Sequence, residues 1–326
     1  MATLPNFPAI RPSLLLDFAN SRRADPRLSV VRATTGTITN AAGQLELVPA
    51  NSPRTDFDPV TGQCLGMLVE EQRSNLLLNS AAPATQSVTV TAQSYTLSIY
   101  GSGSVAISGA YTGVLNGSGS SINRTSLTFT PSAGSITLTP SGIGSNWQLE
   151  AGSFPTSYIP TTSAQVTRAA DSPSLVIQPS VFGVDEGSIV CRFRQSGVSN
   201  PSPKVFRMRT NTPYDWYIEV NSSDQGGIVI MQLWENNAYT VATGSKSWGR
   251  SGDSNTVAVS WKGRNLIFAC GGQLQEYTSV TPLNWQSLTL HLGKDQGTSR
   301  MLNGWIERMP LYSRQLTAAQ LSLLTA

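Results

Sequence analysis

The stretch SVTVTAQSYTLSIYGSGSVAIS, residues 87–108, carries the reading of the fold. Val88 and Val90, Leu97 and Ile99, and Val105 and Ile107 each bracket one small residue, so both aliphatics of a pair lie on one face of an extended strand. Leu127-Thr-Phe129 and Ile136-Thr-Leu138 repeat the pattern downstream. Gly101-Ser-Gly103 and Gly117-Ser-Gly119-Ser-Ser121 fall between the strands as turns or loops. From Ala81 through Leu149 the only charged residue is Arg124. The expectation is a separate two-sheet sandwich of roughly seventy residues, small enough to profit from packing on a neighbour.

The rest of the chain shares this character. Charged residues make up 13% of its 326 residues, against an ordinary share of about a quarter, and the balance is taken up by Ser, Thr, Gly and Asn. Twenty-two basic against 19 acidic residues give a net charge of +3, and Arg22-Arg23 is the nearest thing to a basic cluster. Nucleic-acid binding needs several cations focused on one face, so that class is excluded. Cys64, Cys191 and Cys270 are odd in number, far apart and without CxxC spacing. They read as buried thiols instead of a disulfide framework or zinc site. Met1 is followed by ATLPNFPAI, without the basic start and apolar stretch of a secretory signal, and no window approaches a membrane span.

Three units are expected. Residues 1–80 form an irregular β-rich N-terminal unit for attachment or assembly, with strands at Leu14–Ala19 and Gln44–Val48 and turns at Asp56, Asp58-Pro59, Gly62 and Gly66. Residues 81–169 hold the small sandwich and an extended connector, Phe154-Pro155 through Tyr158-Ile159-Pro160-Thr161-Thr162, whose apolar side chains pin it in place. Residues 170–326 carry strands at 189–193, 205–208, 216–220, 228–234, 256–261, 266–270, 288–292 and 305–312, the many short strands of an antiparallel sandwich. A short helix ends the chain. Thr317 with Gln320 makes a capping box, Leu316 staples onto Leu321, and Leu321 and Leu324 share the docking face. The fold class is all-β throughout, with a jelly-roll-like central sandwich.

Two segments, GMLVEEQRSNLLLNS (66–80) and WQLEAGSFPTSYIPTTSAQVTRAAD (147–171), resemble stretches that recur in structural proteins of tailed bacteriophages. There they open and close a small β-sandwich that hands over to a lectin-like domain. GWIERMPLYSRQLTAAQLSLL (304–324) and VAVSWKGRNLIFACGGQ (257–273) resemble the end and the central hairpin of concanavalin A-like domains of the laminin-G type. The resemblance implies a virion protein, assembled in the bacterial cytoplasm and released by lysis. It is a tail fibre or other tail component attaching to host-surface glycan or, alternatively, a capsid decoration or head-fibre protein. It also implies other virion proteins as partners and a homo-oligomer, trimers being common in such fibres.

Chemistry is sparse. His291 is the sole histidine and lies in the strand Leu288–Leu292, where a place facing solvent or beside Trp305 needs no catalytic partner. There is no GxSxG, HExxH or Walker loop, since Gly293-Lys294 is followed by Asp295. Asp215 and Glu219 are roughly 13 Å apart on a strand, beyond the separation of glycosidase carboxylates. The ExDxxE pattern of the hydrolytic concanavalin A-like enzymes is missing, which leaves a polysaccharide depolymerase as the weaker alternative, with Glu219 and Glu235 from different strands as its pair. No metal or cofactor motif is present; the Asp-x-Asp-x-Asp run of a calcium loop is missing too.

Aromatics are the remaining lead. Tyr214, Trp216, Trp234, Tyr239 and Trp248 fall close together with Asn211, Asn236 and Asn237. Sugar rings stack their C–H faces on such rings, which makes Trp216, Trp234, Tyr239, Trp248 and Asn236 the glycan-binding candidates. The competing reading places the tryptophans in the sandwich core or an oligomer interface.

Overall fold

Alternation of aliphatic and hydroxyl side chains produces what the sequence calls for: in the computed structural model nearly all regular structure among the described residues is antiparallel strand, with one helix among them longer than a single turn. The structure describes residues 10–142, 144–199, 203–210, 215–221, 228–235, 238–242, 253–279, 288–295 and 297–326. The chain divides into two compact units, one of residues 1–30, 65–69 and 172–326, the other of residues 31–64 and 70–171. Residues 1–80, expected as one unit, are therefore shared between both.

In the second unit the small sandwich is as read. One sheet runs in the order Gly113–Asn116, Ser104–Gly109, Gly134–Ser141, Gln86–Val90, and the other Ser120–Phe129, Tyr95–Gly101, Gly144–Ala151. Their inner rows meet in one cluster that includes Val88, Leu97, Ile99, Val105, Ile107, Ile136, Leu138 and Trp147, joined by Leu77 from the segment before. At about 25 cal/mol per Å² this apolar burial is what holds so small a sandwich together. The Phe154–Thr162 segment is no open linker, since Phe154, Tyr158 and Ile159 are all buried within this unit.

The first unit is a β-sandwich with a short terminal helix, the architecture implied by the concanavalin A-like resemblance. One sheet has the order Gln273–Thr278, Asn265–Cys270, Ser254–Lys262, Glu186–Gln195, Gly304–Tyr312, then the segment Cys64–Val69, with Leu14–Asp17 also pairing on Gly304–Tyr312. The other has the order Ser29–Val31, Ser172–Ile177, Leu288–Leu292, Phe206–Thr210, Asp215–Asn221, Ile228–Glu235, Ala238–Ala242. Leu14–Asp17 stops earlier than expected because Asp17 caps the short helix Phe18–Ser21, its carboxylate accepting from Asn20 N at 3.2 Å. Gly66, read as a turn, lies inside a strand: its φ of +110° lets the backbone press against the Ile306 carbonyl, a conformation open to glycine alone.

The C-terminal helix Ala318–Thr325 carries the expected capping box, Thr317 N to Gln320 Oε1 at 2.9 Å and Gln320 N to Thr317 Oγ1 at 3.3 Å. Leu316 and Leu321 are fully buried against Val190, Ala258, Ala269 and Tyr312, with Leu324 packed beside them. The helix thus covers one face of the first sheet. All three cysteines are buried thiols.

Candidate functional site

Residues paired across an antiparallel sheet share a face, so register sorts the second sheet of the first unit into two sets. One set is core. Leu292–Phe206–Ile218–Met231 and Leu175–Leu290–Met208–Trp216–Leu233–Val241 are its lateral rows. Leu175, Leu290, Leu292, Phe206, Met208 and Met231 are all under 5% exposed. Trp216 therefore shares a lateral register row with the buried Leu175, Leu290 and Met208. Trp234 pairs with Tyr239 just past a register shift that follows the Leu233–Val241 pair. Asn236 and Trp248 lie outside the described residues, as do Asn211, Tyr214 and Asn237.

The alternate set is polar. Its central row reads Ser174–His291–Arg207–Tyr217–Gln232, and the neighbouring row Val176–Thr289–Arg209–Asp215. Ser174, His291, Thr289, Arg207, Arg209 and Gln232 are half-buried and Val176 is exposed. From Ser174 to Gln232 the row crosses five strands, about 19 Å. Sequence reading passed over Arg207 and Gln232 and gave His291 a structural place on its strand, although the alternation Phe206-Arg207-Met208-Arg209 already separates the buried from the polar set. His291 is not beside Trp305, which belongs to the other sheet and pairs with Leu68 and Arg194.

His291 sits in a positive field. Burial, followed by the charges of Lys294, Arg207 and Arg209, drives its imidazole down to about 4, against the weaker opposing pull of Asp295. It is therefore neutral at physiological pH, and its Nδ1 is buried with no hydrogen-bond partner among the described residues. Lys294, just past the strand end, is buried and donates from Nζ to Ser172 Oγ. Lys204 is also buried, and that burial together with Arg300 lowers its ammonium to about 7.

The carboxylates do not form a hydrolytic pair by register. Glu219 pairs with Ile230, and Glu235 lies five residues further along that strand, roughly 17 Å away. That is beyond the separations at which glycosidases act.

Residues of the segments 66–80 and 147–171 build a buried polar framework in the second unit. Arg54 bridges Glu70 (2.8 Å) and Asp171, Arg32 reaches Asp171 at 2.8 Å, and Arg168 reaches Glu70 at 3.3 Å. Ser157 donates to Glu70 from N (2.7 Å) and Oγ (2.6 Å). Burial works to raise the Glu70 carboxyl, but Arg168, Arg54 and the Ser157 hydrogen bonds together hold it at about 2. Asn75 donates to the carbonyls of Trp147 (3.2 Å) and Ile159 (2.9 Å) and accepts from Leu77 N and Leu149 N. Tyr158 Oη meets Ser80 Oγ at 2.6 Å, and Gln148 Oε1 accepts from Ile159 N at 2.6 Å. Gly152 leaves the space that the Arg73 guanidinium fills, over the Phe154 ring at 5.1 Å. These residues hold strands in place.

No protein-family model matches the chain, and no curated protein matches it. Among solved structures, the Ruminococcus gnavus IT-sialidase CBM40 bound to α2,3 sialyllactose is 18% identical, with a TM-score of 0.36, over 44% of this chain and 84% of that one. Domain 4 of AbnA, an extracellular arabinanase of Geobacillus stearothermophilus in complex with arabinotriose, is 12% identical, with a TM-score of 0.37, over 53% and 82%. A heptameric SAP-like pentraxin of Limulus polyphemus is 12% identical, with a TM-score of 0.33, over 44% and 70%.

Proposed function

We propose that this chain is a non-enzymatic structural protein of a tailed-phage virion that attaches to surface glycans through the polar strip of its first unit. The observation that carries the glycan reading is the strip itself. The helix packs on the other sheet, whereas Ser174, His291, Arg207 and Gln232 stay half-exposed in one row, with Tyr217 in the same register. Such a row offers hydrogen bonds to hydroxyls along an extended ligand. Repeated copies on a particle convert weak single contacts into avidity. The phage setting rests on the resemblance of residues 66–80 and 147–171.

Purified protein displayed in multiple copies on beads is expected to bind host polysaccharide on a glycan array, and to release no new reducing ends on prolonged incubation. Failure to bind any surface glycan overturns the attachment reading, and steady release of reducing ends overturns the non-enzymatic one. We propose the tail over the head as its place, and antibody labelling of virions in the electron microscope is expected to mark the tail; label on the head instead identifies a capsid decoration protein.

A further inference from the structure

We infer that the free edge of the small sandwich is an interface between two copies of this chain, formed when the strand Gly113–Asn116 of one copy pairs antiparallel with the same strand of the other about a two-fold axis. This stands apart from the glycan reading, which concerns the first unit.

Gly113–Asn116 is the outermost strand of its sheet, and the phase of the ladder fixes which backbone groups it turns outward. Gly117 N donates to the carbonyl of Gly103 opposite it at 2.7 Å, and on the far side of Ser104–Gly109 Ala110 N donates to the Ser135 carbonyl at 2.9 Å. Hydrogen-bonded pairs alternate along an antiparallel ladder, so Leu115 bonds Val105 and Gly113 bonds Ile107. Val114 and Asn116 therefore point their N–H and C=O groups away from the sheet, and among the described residues nothing donates or accepts there. Soluble proteins blunt such an edge with charge, proline or a bulge. This edge has none of these: it reads Gly-Val-Leu-Asn, its register with Ser104–Gly109 is unbroken, and Val114 is 54% exposed.

Charge identifies the occupant. The rows that end in Val114 and Asn116, Thr139–Ala106–Val114 and Ser141–Ser104–Asn116, are uncharged. Arg124, the lone charge of residues 81–149, belongs to the other sheet and gives its terminal nitrogens to the Thr156 carbonyl and to Ser98 Oγ. A charged partner finds nothing to read on this face, and two copies meet across it without like-charge repulsion. With Val114 of each copy opposite Asn116 of the other, each such pair exchanges two backbone hydrogen bonds, Leu115 stays on the core side, and the hydroxyl rows run on without a change of face. So short a pairing falls below the roughly 800 Å² per partner of a stable dimer. It is therefore weak between free molecules and strengthens where copies are already held side by side.

Sedimentation of the intact protein over a rising concentration series is expected to show a monomer–dimer equilibrium. Val114→Pro deletes only an outward N–H, and Val114→Lys sets like charges together at the join. Each is expected to weaken the dimer roughly tenfold or more. Thr89→Pro, on the opposite edge strand Gln86–Val90 of the same sheet, is expected to leave it intact. A short bismaleimide is expected to join two copies of the Val114→Cys variant, since the native cysteines are buried. It should not join Ser135→Cys, which the pairing leaves about 24 Å from its counterpart. Melting curves establish that each variant is folded; if Val114→Pro is not, Val114→Lys and the cross-link decide. A monomer at every concentration with no cross-link at position 114 overturns the inference. So does a dimer that Val114→Pro and Val114→Lys leave undiminished, and so does association abolished by Thr89→Pro, which would mean that opposite edges join head to tail. Each of these outcomes leaves the glycan reading untouched.

Discussion

Glu70 shows what single residues do in the second unit. It is 4% exposed, neutralised by Arg54 and Arg168, and its own N–H donates to Asp171, 101 positions away, at 3.0 Å. Two carboxylates and three guanidiniums in one dry cluster are stable only together, because removing one acid leaves a buried cation without its partner. Glu70→Gln is expected to cost about 3 to 5 kcal/mol in urea unfolding of the intact chain, and a loss under 1 kcal/mol would show that the cluster is not coupled. The sequence displayed these acids and arginines in plain view but not their roles. Pairing across some hundred residues depends on the sandwich that lies between them, and no local spacing encodes it. The strip was half-legible for the opposite reason. Arg207 and Arg209 alternate with buried Phe206 and Met208, a local pattern, but which strands lie beside them is again a matter of topology.

At the scale of elements, period-two strands were readable wherever one face is buried and the other wet. Ser104–Gly109 buries Val105 and Ile107 and exposes Ala106 and Ser108. Gly144–Ala151 escaped, since Trp147, Gln148, Leu149 and Glu150 are all fully buried and no alternation survives. One side of that strand feeds the apolar core and the other the polar framework, where Glu150 accepts from Thr156 Oγ1 at 2.9 Å. Ser172–Ile177 and Gln273–Thr278 were also passed over, the first for its proline and hydroxyls, the second for its run of polar residues. The C-terminal helix was legible because its signal is entirely local. Thr317→Ala is expected to lower stability by about 1 kcal/mol through loss of the cap. Leu321→Ala, which opens a cavity against Ala258 and Tyr312, should cost about 2 to 4 kcal/mol. Thermal melts of both variants check this, and equal losses would mean that the helix docks without its leucines.

At the scale of the whole molecule the two units carry different acid sensitivities. Glu70, in the second unit, is held at about 2 against an ordinary 4.5. A depressed acid contributes stability that is present above pH 4.5 and is lost as pH falls toward 2, roughly 3 kcal/mol in full. His291, in the first unit, is a base depressed from 6.5 to about 4, so the folded state favours its neutral form. That contribution is present above pH 6.5 and is lost as pH falls through 4. Lys204, depressed from 10.5 to about 7, changes stability only between those two values and is constant below them. Trp147 is the one tryptophan of the second unit, and the other six fall within residues 172–326 of the first, so fluorescence separates the two. Between pH 6.5 and 4.5 the melting temperature reported by the six is expected to fall, while the signal lost in Trp147→Phe does not, since the Glu150 carboxyl, raised by burial, adds stability to the second unit as pH drops. Below pH 4.5 the Trp147 transition should follow. His291→Gln should flatten the first decline, and Glu70→Gln the second at a lower overall stability. If both signals fell together over one pH range in the parent protein, the buried carboxylate and the half-buried imidazole would not be the groups that set its acid limits.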